Sequence, residues 1–383
     1  MKNKLILAGL MAMLMSNLYS QPKPVTYLFV GSYTEGKPDT GIYVYTFNVK
    51  SGKLKQTGIT DHIINPSYLA LSPDGQYLYA GADTQLPDTG SVLSFKVNSD
   101  NGTLSFINRQ PSQGDNPVYV TVHHNNRYLI NANYTGGSVS VYAINKDGIL
   151  NPYAQAIPFE GSSIMSSRQD RAHIHAAVFS PQCDYVFFPD LGSDKIWVFR
   201  FDSTKSQPLI PVKEYDVTTV PGSGPRHFTF HPNGKYAYCI EELSGTVAAY
   251  AYDTGSLTFL QRIFGYSKAQ QSSYGGADIH ISPDGRFLYS SNRWEDENTI
   301  AIFAVDQQTG LLTLLGHQKT YGDHPRNFTI DPTGKYLLVA NMLTNNIVVF
   351  KRKMKTGLLK KKKAEIRIPS PSCLQMRAYY QQN

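Results

Sequence analysis

The chain has 383 residues, 41% of them hydrophobic and 17% charged, which excludes a disordered chain, a coiled coil and a collagen-like fibre. Its formal charge of +7 is local: eight positive charges lie between Lys351 and Lys363, and the remainder carries −1. With 26 Tyr and 12% aromatic residues, the composition leans towards strands, because aromatic side chains suit a pleated, half-buried surface.

The first element in chain order is a processing segment. Met1–Lys4 carries two lysines, Leu5–Met15 is an eleven-residue run without charge, and Ser16–Ser20 leads into the polar Gln21-Pro22-Lys23-Pro24. A charged start, a short apolar centre and a small-residue end make a secretory signal peptide over residues 1–20. The run is shorter than the roughly 20 residues that span a bilayer, and no later stretch comes closer. Residues 21–383 are therefore expected to be exported, periplasmic or secreted, with no membrane attachment after cleavage. Cys183, Cys239 and Cys373 are odd in number and far apart, which fits neither a disulfide framework nor a metal-ligand pattern.

From residue 21 onward the sequence repeats. Each unit reads as a strand, a tight turn, a second strand, a loop, a third strand and then Asp/Asn-x-x-Gly-x-Leu. The turns are Ser72-Pro73-Asp74-Gly75, His124-Asn125-Asn126-Arg127, Ser180-Pro181-Gln182-Cys183-Asp184, His231-Pro232-Asn233-Gly234, Ser282-Pro283-Asp284-Gly285 and Asp331-Pro332-Thr333-Gly334. Counted from Gly75, Asn126, Asp184, Gly234, Gly285 and Gly334, they lie 51, 58, 50, 51 and 49 residues apart. Pro presets φ and Gly accepts positive φ, so such turns have a mechanism. Four short strands per unit at this period predict an all-β, seven-bladed β-propeller in one domain, with four antiparallel strands per blade. Six units are complete. The seventh is split: Tyr27–Tyr33 and Gly41–Val49 lack a first strand, which Glu365–Met376 is expected to supply.

This topology sends the start of each first strand and the end of each second strand to one mouth. Arg171-Ala172-His173-Ile174-His175, Gly224-Pro225-Arg226-His227, Gly276-Ala277-Asp278 and His324-Pro325-Arg326-Asn327 arrive on one side of the blades. Pro189-Asp190, Glu241-Glu242, Ser291-Asn292-Arg293 and Asn341 arrive on the other. Arg, His and Glu converging there point to an anionic small-molecule substrate and acid/base chemistry. His173 and His175, two apart on one strand face, also suit a channel filled with hydrogen-bonded rings. Arg226 also suits a structural pin to Glu241 or Glu242, Asp278 a turn, and Arg293 a partner in the acidic stretch Trp294-Glu295-Asp296-Glu297. No nucleophile elbow and no phosphate-cradling Gly-Lys-Ser/Thr loop is present. The lysine cluster reads as a solvated edge hairpin whose charge discourages sheet-to-sheet aggregation. No aromatic residue interrupts it, so it offers no stacking platform for nucleic acid, and none is expected as a partner.

Taken together, several stretches resemble the seven-bladed lactonase family, which includes bacterial 6-phosphogluconolactonases and fungal carboxy-muconate cycloisomerases. They are Asp170–His175, Pro189-Asp190-Leu191-Gly192, Gly224–His227, Glu242-Leu243-Ser244, Ala277–His280 with Ser282–Tyr289, Ser291-Asn292-Arg293, Val339-Ala340-Asn341 and Pro369–Cys373, within about Tyr27 to Met376. The resemblance implies a catalytic set of His173, Arg226, Glu242 and Arg293. Around these, His175, His227, Asp190, Asp278, Arg326 and Asn341 are the candidates for substrate contact. Two departures stand out: Glu241 where the family usually has Asn, and Trp294 where Gly is common, both expected to alter the rim of the site.

The expected reaction is hydrolysis of a sugar-acid lactone of the 6-phosphogluconolactone type, with no cofactor and no metal. Glu242 or His173 would take the proton of a water, and Arg226 and Arg293 would hold the anion and the tetrahedral oxyanion. Arg226→Ala and Glu242→Gln are each expected to remove activity while leaving the melting temperature near wild type. An export signal sits awkwardly with a phosphorylated, mainly cytoplasmic substrate. That keeps three alternatives in view: lactonising cycloisomerisation of a dicarboxylate, hydrolysis of a non-phosphorylated aldonolactone, and a non-catalytic binding propeller.

Overall fold

The computed structural model describes residues 24–34, 41–86, 90–268, 273–294 and 297–380. The expected leader, residues 1–20, lies outside them. Seven sheets of antiparallel strands are formed, numbered here as blades 1 to 7 from the N-terminus. In blade 5 the strands run Pro225–Phe230, Tyr236–Glu241, Thr246–Asp253 and Ser256–Phe264 from the axis outward. Second strands such as Tyr77–Ala82 and Tyr336–Asn341 are buried along their whole length, whereas the outermost strands alternate with solvent. A middle strand is covered on both faces by neighbouring blades, which is why Tyr336-Leu337-Leu338-Val339-Ala340 reads as unbroken apolar sequence.

The repeated turns share one backbone hydrogen bond. The amide of the fourth residue bonds back to the first carbonyl at 2.8–2.9 Å in all six, from Gly75–Ser72 to Gly334–Asp331. The turn of blade 3 runs from His123 to Asn126, one residue earlier than the expected His124–Arg127. In the fourth blade the left-handed residue is Cys183 (φ 59°), with Asn126 (φ 60°) and Gly234 (φ 70°) at the matching positions. The spacing around it is therefore 57 and 51 residues in place of the expected 58 and 50, because Cys183 and not Asp184 takes the turn position. His123 and His231 occupy the first turn position, where each spends one ring nitrogen on its own turn. The other nitrogen reaches the next blade, at Cys183 O (3.1 Å) and Gly285 O (2.9 Å).

A second stitch explains the tyrosines and the Gly of the Asp/Asn-x-x-Gly motif. The ring at the start of each second strand lies against a glycine in the outer hairpin of the following blade. The pairs are Tyr27 with Gly102, Tyr77 with Gly148, Tyr185 with Gly255, Tyr236 with Gly310, Phe287 with Gly357 and, from blade 7 back to blade 1, Tyr336 with Gly52. A Cβ at any of these glycines would collide with the ring, and each glycine also has positive φ. Tyr128 completes the circuit through its hydroxyl, which donates to Ser203 O at 3.0 Å.

The closing strand is Pro371–Tyr379, which pairs antiparallel with Val25–Ser32 on the axis side of blade 1. This corrects the expected Glu365–Met376. Glu365 and its neighbours belong to Leu359–Arg367, the outermost strand of blade 7, where Glu365 is registered with Val348. Blade 4 departs from four strands: a 3₁₀ turn at Lys213–Tyr215 splits its outer edge into Leu209–Pro211 and Val217–Thr218, both paired with Lys195–Phe201. Cys239 and Cys373 are fully buried. Among the described residues, no helix is long and apolar enough to cross a membrane.

Candidate active site

The sequence reaches the mouth through a recurring local device. Asn116-Pro117, Gly224-Pro225 and His324-Pro325 each place a residue with φ near 60° before a proline that opens an inner strand. The pairing with the second strand then slips: Pro117, Pro225 and Pro325 are in register with Asn133, Glu241 and Asn341, but the next paired residues are Tyr119, His227 and Asn327. The skipped residues, Val118, Arg226 and Arg326, are bulged, and bulges re-aim side chains. All three line a cavity of about 370 Å³ at the mouth.

Glu242 is the centre of this cavity's charge. Its Oε2 accepts Arg226 Nη1 at 2.8 Å and Arg293 Nη2 at 3.1 Å, and its Oε1 accepts Arg168 Nη2 at 2.6 Å. Burial would raise this carboxyl, but Arg293, Arg226 and Arg168 outweigh it and hold it well below the usual carboxylate range. Burial and the neighbouring Arg293 bring Arg226 down to about 9, so cationic charge is crowded here. Arg326 also faces the cavity and lies over the Tyr33 ring, with its guanidinium 5.3 Å from the centroid. It has no carboxylate partner among the described residues. Four guanidinium groups thus surround one carboxylate. His175 and His324 line the same cavity and are held neutral, their pKa values lowered by burial and by nearby arginines, to about 2 for His324.

The other expected residues fall into distinct places. His175 touches Arg226 Nη1 through Nε2. His173 does not line the cavity: its ring stacks behind Tyr134 at 4.5 Å and bonds Tyr134 O and Asp170. The expectation that the two histidines share a strand face fails because residues 171–177 form no regular strand, only an isolated bridge from Ile174 to Asp190. Asp190 organises that segment instead of facing substrate, accepting the amides of His173, Gly192 and Ser193 and the Trp197 indole. Asp278 lies below the mouth, where its carboxylate takes His227 (2.8 Å), His280 (2.9 Å), Asn327 (2.6 Å) and the Phe328 amide. His227 is consequently part of this buried network, and Asn341 is likewise buried, donating to Thr320 O. None of His173, Asp190, Asp278, His227 and Asn341 lines the cavity.

A family description, "Lactonase, 7-bladed beta-propeller", matches residues 27–376. The chain belongs to this family. A protein of Formosa agariphila named 6-phosphogluconolactonase is 47% identical over 92% of this chain and 99% of its own length. The protein of that name from Bacillus subtilis is 33% identical over 90% and 97%. Among solved structures, a putative 6-phosphogluconolactonase of Bacteroides fragilis superposes with a TM-score of 0.87 at 38% identity, covering 93% of this chain and 98% of that one. The periplasmic gluconolactonase of Pseudomonas aeruginosa gives 0.87 at 34% identity, covering 93% and 99%.

Within the family frame, the two departures have different consequences. Glu241 does not reach the rim: it turns outward to a bidentate pair with Arg262 at 2.6 and 2.7 Å. Trp294 does line the cavity, and its φ of 83° explains why a glycine suits the position. Arg293 reaches Glu242, and of the acidic stretch only Glu297 lies within the described residues, accepting from Ser267 at 2.7 Å; Glu295 and Asp296 lie outside them. Sequence reasoning missed Arg168 and Tyr134. The signal for Arg168 was the longest turn-to-turn spacing, which marks extra chain between blades 3 and 4; the loop after Leu150–Pro158 carries it.

Proposed function

We propose that the chain hydrolyses a sugar-acid lactone at this mouth, with an anionic substrate of the 6-phosphogluconolactone type. The observation that carries the reading is the Arg226–Glu242–Arg293 cluster on the cavity wall, with Arg326 facing it and without a carboxylate partner among the described residues. Glu242 takes a proton from water as the water oxygen bonds to the lactone carbonyl carbon. Arg226 and Arg293 hold the oxyanion that forms. The ring C–O bond then breaks, and its oxygen takes the proton from Glu242, leaving a hydroxy acid that ionises. Arg326 suits a remote phosphate or carboxylate of the substrate, because guanidinium groups recognise such oxyanions with paired N–H donors. Export of the chain, proposed from its first 20 residues, favours a second reading in which the lactone carries no phosphate. The relatives named above support lactone hydrolysis under both readings.

A pH-stat panel of glucono-δ-lactone, its 6-phosphate and a muconate tests this. The expected result is lactone turnover above buffer hydrolysis, and a loss of about 10²–10³-fold in kcat for Arg226→Ala, the worth of one oxyanion donor. A wild-type protein that accelerates no lactone refutes the hydrolytic reading; turnover of the muconate alone makes it a cycloisomerase.

A further inference from the structure

The three guanidinium groups on Glu242 are not equivalent. Arg226 and Arg293 are pinned to the backbone of blade 6, Arg226 by Nε to Ala277 O (2.7 Å) and Arg293 by Nε to Gly275 O (2.9 Å). Each has a side chain only 3% exposed. Both bind Oε2. Among the described residues Arg168 alone occupies Oε1; it comes from a loop and leaves 29% of its side chain exposed. Its remaining contacts are loose: Tyr134 Oη at 3.4 Å and the Trp294 ring at 5.9 Å. The loop's backbone is nonetheless fixed. Met165 O accepts the amides of Arg168 and Gln169, and the Gln169 side chain donates to Leu191 O at 2.9 Å. A side chain free to swing on a fixed base can change partners without refolding the loop.

We infer that Arg168 is a displaceable cap that reads the substrate's charge: an oxyanion on the lactone draws its guanidinium off Glu242, freeing Oε1 to accept the proton of the attacking water. The inference rests on the hydrolytic reading and adds a specificity-determining and positioning role that the catalytic pair does not supply. Charge balance favours it. With Arg168 in place, Glu242 carries three cations and is a very weak base. A bound phosphate or carboxylate takes over one of them, so the base is armed only when an anionic substrate is present. Trp294 forms a wall beside the swing, with the guanidinium groups of Arg168 and Arg293 at 5.9 and 6.0 Å from its ring.

The test compares wild type, Arg168→Ala and Arg168→Lys on neutral glucono-δ-lactone, on its 6-phosphate and on a glucarolactone, which carries a carboxylate. In Arg168→Ala the preference for the anionic lactones is expected to fall about tenfold or more, the worth of one charge-assisted hydrogen bond. The acid limb of kcat/KM should move to higher pH, because Glu242 keeps only two cations. Arg168→Lys should recover part of the preference. Preference for phosphate but not carboxylate, or the reverse, identifies which oxyanion the cap reads. Equal losses on neutral and anionic lactones with an unmoved acid limb overturn the inference. Calorimetric binding of gluconate and 6-phosphogluconate, which needs no turnover, decides it independently. Weaker binding to Arg168→Ala supports the anion contact even if no lactone is hydrolysed, whereas unchanged binding, or none to wild type, removes it.

Discussion

Glu242→Gln is the sharpest test of the charge cluster. The substitution keeps the shape of the side chain but removes the counter-charge of three guanidinium groups held at 2.6, 2.8 and 3.1 Å. It also turns an amide N–H₂ towards donors that need an acceptor. Arg226 and Arg293 are too buried for water to replace the lost carboxylate. Removing one partner of a buried ion pair costs about 3–5 kcal/mol. At roughly 2 cal/mol/K of unfolding entropy per residue, a chain of this length loses roughly 4–7 °C of melting temperature for that cost. The expectation of an unchanged melting temperature, drawn from sequence, is thereby withdrawn for this variant. The pH dependence has a definite sign. The folded carboxyl titrates below its unfolded value, so its contribution is complete above pH of about 4.3 and is lost as pH falls towards the folded value. The gap between wild type and Glu242→Gln should be flat from neutrality down to about pH 5. Below about pH 4 it should close by roughly 1.4 kcal/mol per pH unit, since all other carboxylates titrate alike in both proteins. Differential scanning calorimetry and urea unfolding at several pH values measure both quantities. A variant melting within about 1 °C of wild type at neutral pH, or a gap that stays constant on acidification, refutes the reasoning.

Two further outcomes follow from the fold. Truncation after Ile368 removes Pro371–Tyr379, stripping Val25–Ser32 of its axis-side partner and Asn327 Oδ1 of the Leu374 amide at 2.7 Å. The truncated chain should aggregate or melt without cooperativity, and a soluble product with a wild-type melting curve would falsify the closure argument. Gly192→Ala places a Cβ against the Arg171 carbonyl and 2.9 Å from the His173 amide. It should lower both melting temperature and kcat/KM by pushing the 171–175 segment off Asp190; wild-type values for both would show that this close approach is not needed.

Blade number, strand order and the shared mouth were legible because each follows from one repeated turn. A Pro-Asp-Gly turn states its own geometry, and six related turns at a steady interval, two of them Pro-Asp-Gly, fix the topology. Where the repeat loses its glycine, legibility drops: Cys183 adopts the left-handed turn position that Asp184 was assigned. The site was legible as far as strand ends determine it. Arg226, Glu242, Arg293 and Arg326 follow from register, and all line the cavity. Which of His173 and His175 faces it was not readable, because alternation holds only in a paired strand and that segment is held by Asp190 instead. The long spacing marks the loop of Arg168, but the position of its side chain was hidden for a related reason. A long loop has no period from which to infer where a side chain ends up. The closing strand was displaced because the outer strand of blade 7 and the closing strand are separated by only three residues, Ile368–Ser370.

The six aromatic-on-glycine contacts, with the Tyr128 hydroxyl bond from blade 3 to blade 4, run in a single direction, each blade leaning on its successor and the last leaning on the first. A stack of layers with two ends can let looseness drain to an edge; a circle of one-way supports has no edge to receive it. The cavity draws its wall from every blade, from Tyr33 beside blade 1 to Arg326 of blade 7, and its charged residues Arg168, Arg226, Arg293 and Arg326 lie far apart in the chain. Their spacing is therefore kept by hinges on the far rim, and the chemistry at one end of the axis inherits its accuracy from tyrosines that never meet the substrate.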